Sequence, residues 1–274
     1  MSAGADVTME RLLALRDHAE AGMDPGQSHS ETGLRSGRRQ GRGGDIFDLR
    51  PYQEGDDLRQ IDAAATARSG RTQVRRRHEE VERTLLLIAD FRGPMLWGTR
   101  RRLRSVAAAE ELALAGWRAI AAGGRVGCLV VRNGDTTALT PRPRDAAMLD
   151  VAGALVKGHA AAMNGGGEPG PLSGALVGAT AMLRPGASVL LATGLDLPGK
   201  DFAAAAETLM KKCRLMVLLV QDRVERAPPA GIFPVRIDRE TVRVRLGPPT
   251  GPAMLDQIGI PTRIVDSSTP GIAV

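Results

Sequence analysis

Along this chain, short unbroken apolar runs alternate with longer stretches whose apolar residues recur every three to four positions. Residues 84–90 read TLLLIAD, an apolar run ending on an acid, the pattern of a strand covered on both faces of a mostly parallel sheet. Residues 103–122 are rich in Ala and Leu over a helical length and stop at Gly123-Gly124, where glycine accepts the left-handed cap. Strand character returns at residues 125–131, and Asn133-Gly134 is a hairpin turn into residues 136–139. Helices are predicted over residues 144–163 and, past Gly165-Gly166-Gly167, over 172–183. Residues 187–193 and 214–221 are further buried strands, joined by the Ala-rich helical segment 202–212.

Ahead of this series, Val7, Leu12, Leu13, Leu15 and Ala19 lie at helical spacing and predict an N-terminal helix over residues 7–21. A stretch rich in Gly, Ser and Arg, residues 22–44, reads as a connector. Residues 235–246 alternate Val and Ile with charged residues, as an exposed hairpin or edge strand does. The expected organisation is an N-terminal helix and connector at 1–44, a charged segment at 45–82, an α/β domain at 83–246 and a proline-containing tail at 247–274. The fold class is α/β, a mostly parallel sheet with helices on both faces.

Composition narrows the picture. Hydrophobic residues make up 43% of 274, enough for a substantial core, but aromatics are only 3%, so that core is built from Ala, Val, Leu and Ile. Cys128 and Cys213 fall within apolar segments and read as buried, reduced thiols. No apolar run approaches the roughly 18 residues of a membrane span, and the start of the chain lacks a signal-peptide apolar region, so a cytoplasmic location is expected. The net charge of +6 and pI near 10.1 concentrate between Arg35 and Arg104. Acidic pairs such as Asp56-Asp57 and Glu79-Glu80 interleave with the arginines, which favours a salt-bridged protein surface over a phosphate track.

The most specific text is the segment from Asp45 to Asp62, with six acids and two arginines in eighteen residues. Arg50, Tyr52, Gly55, Asp56, Asp57, Arg59, Ile61 and Asp62, continued by Ala67-Arg68, make this segment resemble that of the domain-of-unknown-function 58 family (DUF58). There a pattern like R-x-Y-x-x-G-D-D-x-R-x-I-D-W precedes a von Willebrand factor A-like domain. One departure is plain, because the tryptophan of that pattern is Ala63 here. Within the segment, Arg50, Arg59 and Arg68 are expected to satisfy Asp56, Asp57 and Asp62 as an ion-pair knot on which Tyr52 packs, a surface that also suits partner docking.

The resemblance implies a von Willebrand A-like, Rossmann-like domain that typically holds Mg²⁺ at its strand ends, through hydroxyls and acids on three loops. Here the first loop reads Asp90-Phe91-Arg92-Gly93-Pro94, so Arg92 and Pro94 stand at the hydroxyl positions. Gly170 stands at the threonine of the second loop, and Gly194 at the acid of the third. The expectation is a degenerate metal-ion-dependent adhesion site with no metal and no cofactor, in which Asp90 pairs with an arginine. Asp196 is expected to begin a turn or cap a helix.

Other chemistries are weaker. His78 and His159 lack partners at ligand spacing and read as surface or capping residues. Asp90, Asp196 and Asp222 are candidate acids for a metal-dependent phosphatase or nuclease, yet without hydroxyl ligands no enzyme is expected. Nucleic-acid binding by the Arg-rich segment 35–77 is the alternative function, with Phe47 and Tyr52 the only aromatics near it for base stacking. By resemblance, the expected function is that of a protein-binding adaptor or assembly factor. Its expected partners are a MoxR-type AAA+ ATPase and a client complex.

Overall fold

The computed structural model describes residues 4–21, 46–77, 83–237, 240–245 and 251–271. The predicted connector 22–44 and His78 lie outside these residues. The chain divides into two units, residues 1–28 with 83–274, and residues 29–82. The first unit begins with helix α1 (Met9–Ala21).

The smaller unit is a two-stranded antiparallel ribbon, β1 (Ile46–Pro51) and β2 (Gln73–Arg77), joined through helix α2 (Ala63–Ser69). Asp62 starts α2 by accepting the Ala65 N–H, and Gly70 ends it in the left-handed conformation, φ 68°. Among its described residues, Ala65 and Val74 are the buried apolar ones.

In the larger unit, β3 (Thr84–Asp90) is the centre of the sheet, and six of its seven residues are buried. It is followed by α3 (Arg104–Ala121), β4 (Arg125–Arg132), β5 (Asp135–Pro143), α4 (Asp145–Asn164), α5 (Ser173–Met182), β6 (Ser188–Thr193), α6 (Phe202–Met210) and β7 (Arg214–Gln221). A one-turn helix α7 (Arg223–Arg226), a hairpin of β8 (Phe233–Ile237) and β9 (Glu240–Val244), helix α8 (Gly251–Ile258) and β10 (Thr262–Asp266) complete it. The six-stranded order is β10-β7-β6-β3-β4-β5, parallel except for β5, which turns back on β4 through Asn133-Gly134.

The period-2 geometry of β3 splits the core in two. Leu85, Leu87 and Ala89 face α1, α3 and α4, while Leu86 and Ile88 face α5, α6 and α8. A small residue brings two helices of one layer close: a Cβ at Gly116 of α3 would lie 2.5 Å from Met148 Sδ of α4. The Trp117 indole N–H donates to Leu12 O at 2.9 Å, tying α1 to α3.

Residues 247–274, a tail by sequence, instead supply α8 and the sheet edge β10, which pairs with β7 from Thr262↔Val217 to Asp266↔Gln221. Only Val265 is fully buried in β10, so the apolar run that marks a central strand is missing there. Beside β3, the chain goes to β4 on one side and later returns to β6 on the other. That reversal of winding places the topological switch point at the carboxyl ends of β3 and β6, where open α/β sheets receive ligands.

Candidate functional site

A guanidinium fills the switch point. Arg92 is 1% exposed, and its Nε and Nη2 donate to Asp90 Oδ1 and Oδ2, both at 2.8 Å. Its remaining N–H groups reach the other two loops: Nη1 donates to Gly170 O at 2.7 Å and Leu197 O at 3.0 Å, and Nη2 to Asp196 O at 2.8 Å. All five guanidinium donors are thereby used. Asp90 is equally occupied, since Oδ1 also accepts the Arg92 main-chain N–H at 3.1 Å and Oδ2 the Thr193 hydroxyl at 2.7 Å.

This donor set does not fit a divalent cation. Both Asp90 oxygens are committed, Pro94 and Gly194 offer no side-chain ligand, and the Gly170 carbonyl is taken. A doubly charged ion about 4 Å from the guanidinium would be repelled by roughly 8 kcal/mol at an effective dielectric of about 20. Among the described residues, no group of three or more His, Cys, Asp or Glu is placed to hold a metal.

A second buried arginine stands beside the first. Arg104, 0% exposed at the start of α3, donates to Val220 O at 3.1 Å, Pro94 O at 3.2 Å and Asp196 Oδ2 at 2.7 Å. Glu225 Oε1 lies 3.3 Å from its Nη1, and its guanidinium sits 5.4 Å from the centroid of the Trp97 ring. Burial pushes the Glu225 carboxyl above its ordinary value, against the pull of Arg104. Gly194 makes room for this arginine, because a Cβ there would lie 1.1 Å from Arg104 Nη2. Asp196, expected to begin a turn or cap a helix, instead gives its carboxylate to Arg104 and its carbonyl to Arg92. The loop carrying it holds Leu195 and Leu197 at φ 61° and 47°, a conformation costing about 1–2 kcal/mol per non-glycine residue.

In the smaller unit, the structure joins Arg50 to Asp56 by a two-pronged pair, 2.8 and 2.6 Å. That pairing, with the Gln53 N–H, holds the Asp56 carboxyl below the usual range and raises Arg50. The other two acids also serve main-chain donors. Asp57 accepts the Arg59 main-chain N–H at 3.0 Å, and Asp62 the Ala65 N–H at 2.8 Å, because each precedes a helical turn with unsatisfied donors. The side chains of Arg59 and Arg68 are exposed and Tyr52 is half-buried.

The family model described as "Protein of unknown function DUF58" matches residues 48–245, more than half of the chain. The chain belongs to the DUF58 family. No curated protein matches it. Among solved structures, it is similar to an aerotolerance-related membrane protein from Bacteroides fragilis NCTC 9343 carrying multiple mutations to serine. The identity is 18% and the TM-score 0.45, over 68% of this chain and 93% of the other.

In this DUF58 chain, Asp90, Arg92, Pro94, Gly170 and Gly194 all meet at one strand-end centre, while Arg104, Thr193 and Leu197 are members that sequence reading missed. Arg104 was hidden behind the run Arg100-Arg101-Arg102, which resembles a solvated surface. One signal was available: a cation in the first turn of a helix opposes the macrodipole and needs a strong local reason. His159, expected at the surface or as a cap, is 2% exposed, 3.0 Å from the Ser105 hydroxyl and edge-on to Phe91. Helix α4 turns it inward, and burial lowers its pKa. Cys128 and Cys213 are free and buried, and burial pushes the Cys128 thiol up to about 12. Among the described residues, no helix is long and apolar enough to cross a membrane.

Proposed function

We propose that this DUF58 chain is a non-catalytic protein-binding module of the cytoplasm, working as an adaptor or assembly factor with a MoxR-type AAA+ ATPase. The observation that carries the reading is the Arg92 guanidinium at the switch point, bonded to all three loops that present ligands in this kind of fold. A strand-end edge so filled keeps its shape while offering no reactive or metal-ligating group, which suits recognition of a protein surface. Leu197 supports this, since it is 58% exposed on the left-handed loop whose carbonyls hold Arg92. The exposed Arg59 and Arg68 of the smaller unit are the second proposed contact. The ATPase partnership rests on the family resemblance.

The test is co-purification of the tagged chain with a MoxR-type ATPase of its host, using Leu197→Asp and the pair Arg59→Glu, Arg68→Glu. Leu197→Asp keeps the residue 197 carbonyl that Arg92 holds, and Arg59→Glu keeps the main-chain N–H that Asp57 accepts. Loss of the ATPase with unchanged melting supports the surface assignment. Retention by both variants rejects it, and no ATPase captured by the unaltered chain rejects the partnership.

A further inference from the structure

The carboxyl ends of β7 and β10 frame a second concavity that the arginine-filled centre does not use. This cleft, about 410 Å³, is lined by Arg100, Arg223, Arg226, Asp266, Ser268 and Thr269. Its acid is already engaged. Asp266 pairs with Arg226 through Oδ2 and accepts the Ser268 N–H on Oδ1 at 2.8 Å. Among the described residues, Arg100 and Arg223 have no ion pair, so hydrogen-bond donors and positive charge dominate the lining.

The cleft is also held in shape from beneath. Asp222, 0% exposed, accepts the Thr99 N–H at 2.9 Å and the Thr99 hydroxyl, fixing the main chain next to Arg100. The same carboxylate caps α7 through the Val224 N–H at 3.0 Å and takes the Ser267 hydroxyl at 3.4 Å. The Arg223 N–H donates to Ser268 Oγ at 2.8 Å. One buried carboxylate therefore pins all three chain segments that supply the lining, and the guanidinium groups project from fixed main chain. Arginines gathered on one cleft supply planar guanidinium forks that match an anion with several acceptor oxygens, and phosphate offers more of them than a carboxylate. The volume falls in the range of small-molecule sites. Among the described residues, no aromatic ring lines it, so recognition there has no platform for a stacked base.

We propose that this cleft binds a phosphate-bearing small anion through its phosphate oxygens, either free oligophosphate or the phosphate end of a nucleotide. Calorimetry of the full chain at fixed ionic strength, with pyrophosphate, ADP and citrate as separate titrants, tests it. Saturable one-site binding of pyrophosphate is expected, at least about tenfold weaker in Arg100→Gln, Arg223→Gln and unchanged in the charge-matched control Arg184→Gln, Lys200→Gln. All four side chains are exposed, so both variants keep the packed core. ADP bound about as tightly as pyrophosphate supports recognition by phosphate oxygens alone. Four results overturn the proposal: no saturable binding, equal loss in the control pair, citrate as tight as pyrophosphate, or ADP bound where pyrophosphate is not. No partner protein enters the measurement, so its failure leaves the adaptor reading standing.

Discussion

Replacing Arg92 with Leu removes five hydrogen-bond donors from a site that is 1% exposed, and leaves Asp90 with the Thr193 hydroxyl and the residue 92 main-chain N–H. Taking one partner from a buried ion pair costs about 3–5 kcal/mol, because the remaining charge stays desolvated. The carbonyls of Gly170, Asp196 and Leu197 lose their donor as well, although water can enter once the guanidinium is gone. For a unit of this size, each kcal/mol lowers the melting temperature by roughly 2–4 °C, so a fall of about 6–20 °C is expected. Arg92→Lys keeps the charge but has three donors for five acceptor contacts, and should lie between the two at about 1–3 kcal/mol. The assay is urea unfolding followed by circular dichroism, with the midpoint read at constant slope. In the double variant Asp90→Asn, Arg92→Leu the penalty should be smaller than the sum of the single ones, since neither charge is then left alone. A cost below about 1 kcal/mol for Arg92→Leu, or strict additivity in the cycle, would refute the account of Arg92 as the fastener of the three loops.

Four further outcomes are expected. Gly194→Ala should destabilise by more than about 2 kcal/mol, since its methyl group collides with a guanidinium fixed by other acceptors, whereas Gly170→Ala, with open space around it, should stay within about 0.5 kcal/mol; thermal melts of both compare them directly. Leu197→Gly should raise stability by about 0.5–1 kcal/mol by relieving a left-handed leucine that is mostly exposed, and a lower melting temperature would contradict the strain argument. For Asp222, burial alone would raise the carboxyl, but hydrogen bonds from Thr99, Val224 and Ser267 outweigh it and hold its pKa below the ordinary value. Its contribution is therefore complete above the unfolded value of about 3.9 and disappears as pH falls through the lower folded value; Asp222→Asn should flatten that acid limb in a pH series of melts. Chelation by EDTA or addition of millimolar Mg²⁺ should leave the melting temperature unchanged, and a saturable Mg²⁺-dependent rise would show that the strand-end centre admits a cation.

Much of the fold was legible because burial on both faces leaves a clear mark. TLLLIAD at β3 and the Ala-rich helices sit where their apolar periods put them. The edge strand β10 was not legible, since four of its five residues are exposed or half-buried and its run of side chains carries no core pattern. At the site, Asp90 and Arg92 are two residues apart, so their pairing is a local geometric matter that sequence can suggest. Arg104 reaches Asp196 across 92 positions, and nothing local in either segment announces that contact. The acids of the charged segment were legible as a group but not in their individual duties, because a carboxylate ahead of a helical turn serves a guanidinium and a main-chain N–H equally well.

Asp196 is held twice, by Arg92 at its carbonyl and by Arg104 at its carboxylate, while Arg104 is itself clasped to Val220 at the end of β7 and Glu225 just beyond it. The loop bearing Asp196 therefore works as a latch with two bolts on one plate. It cannot lift from one arginine without loosening the other, so the ends of β3, β6 and β7 are bound to yield together, in a single all-or-none opening, when anything pulls on that edge.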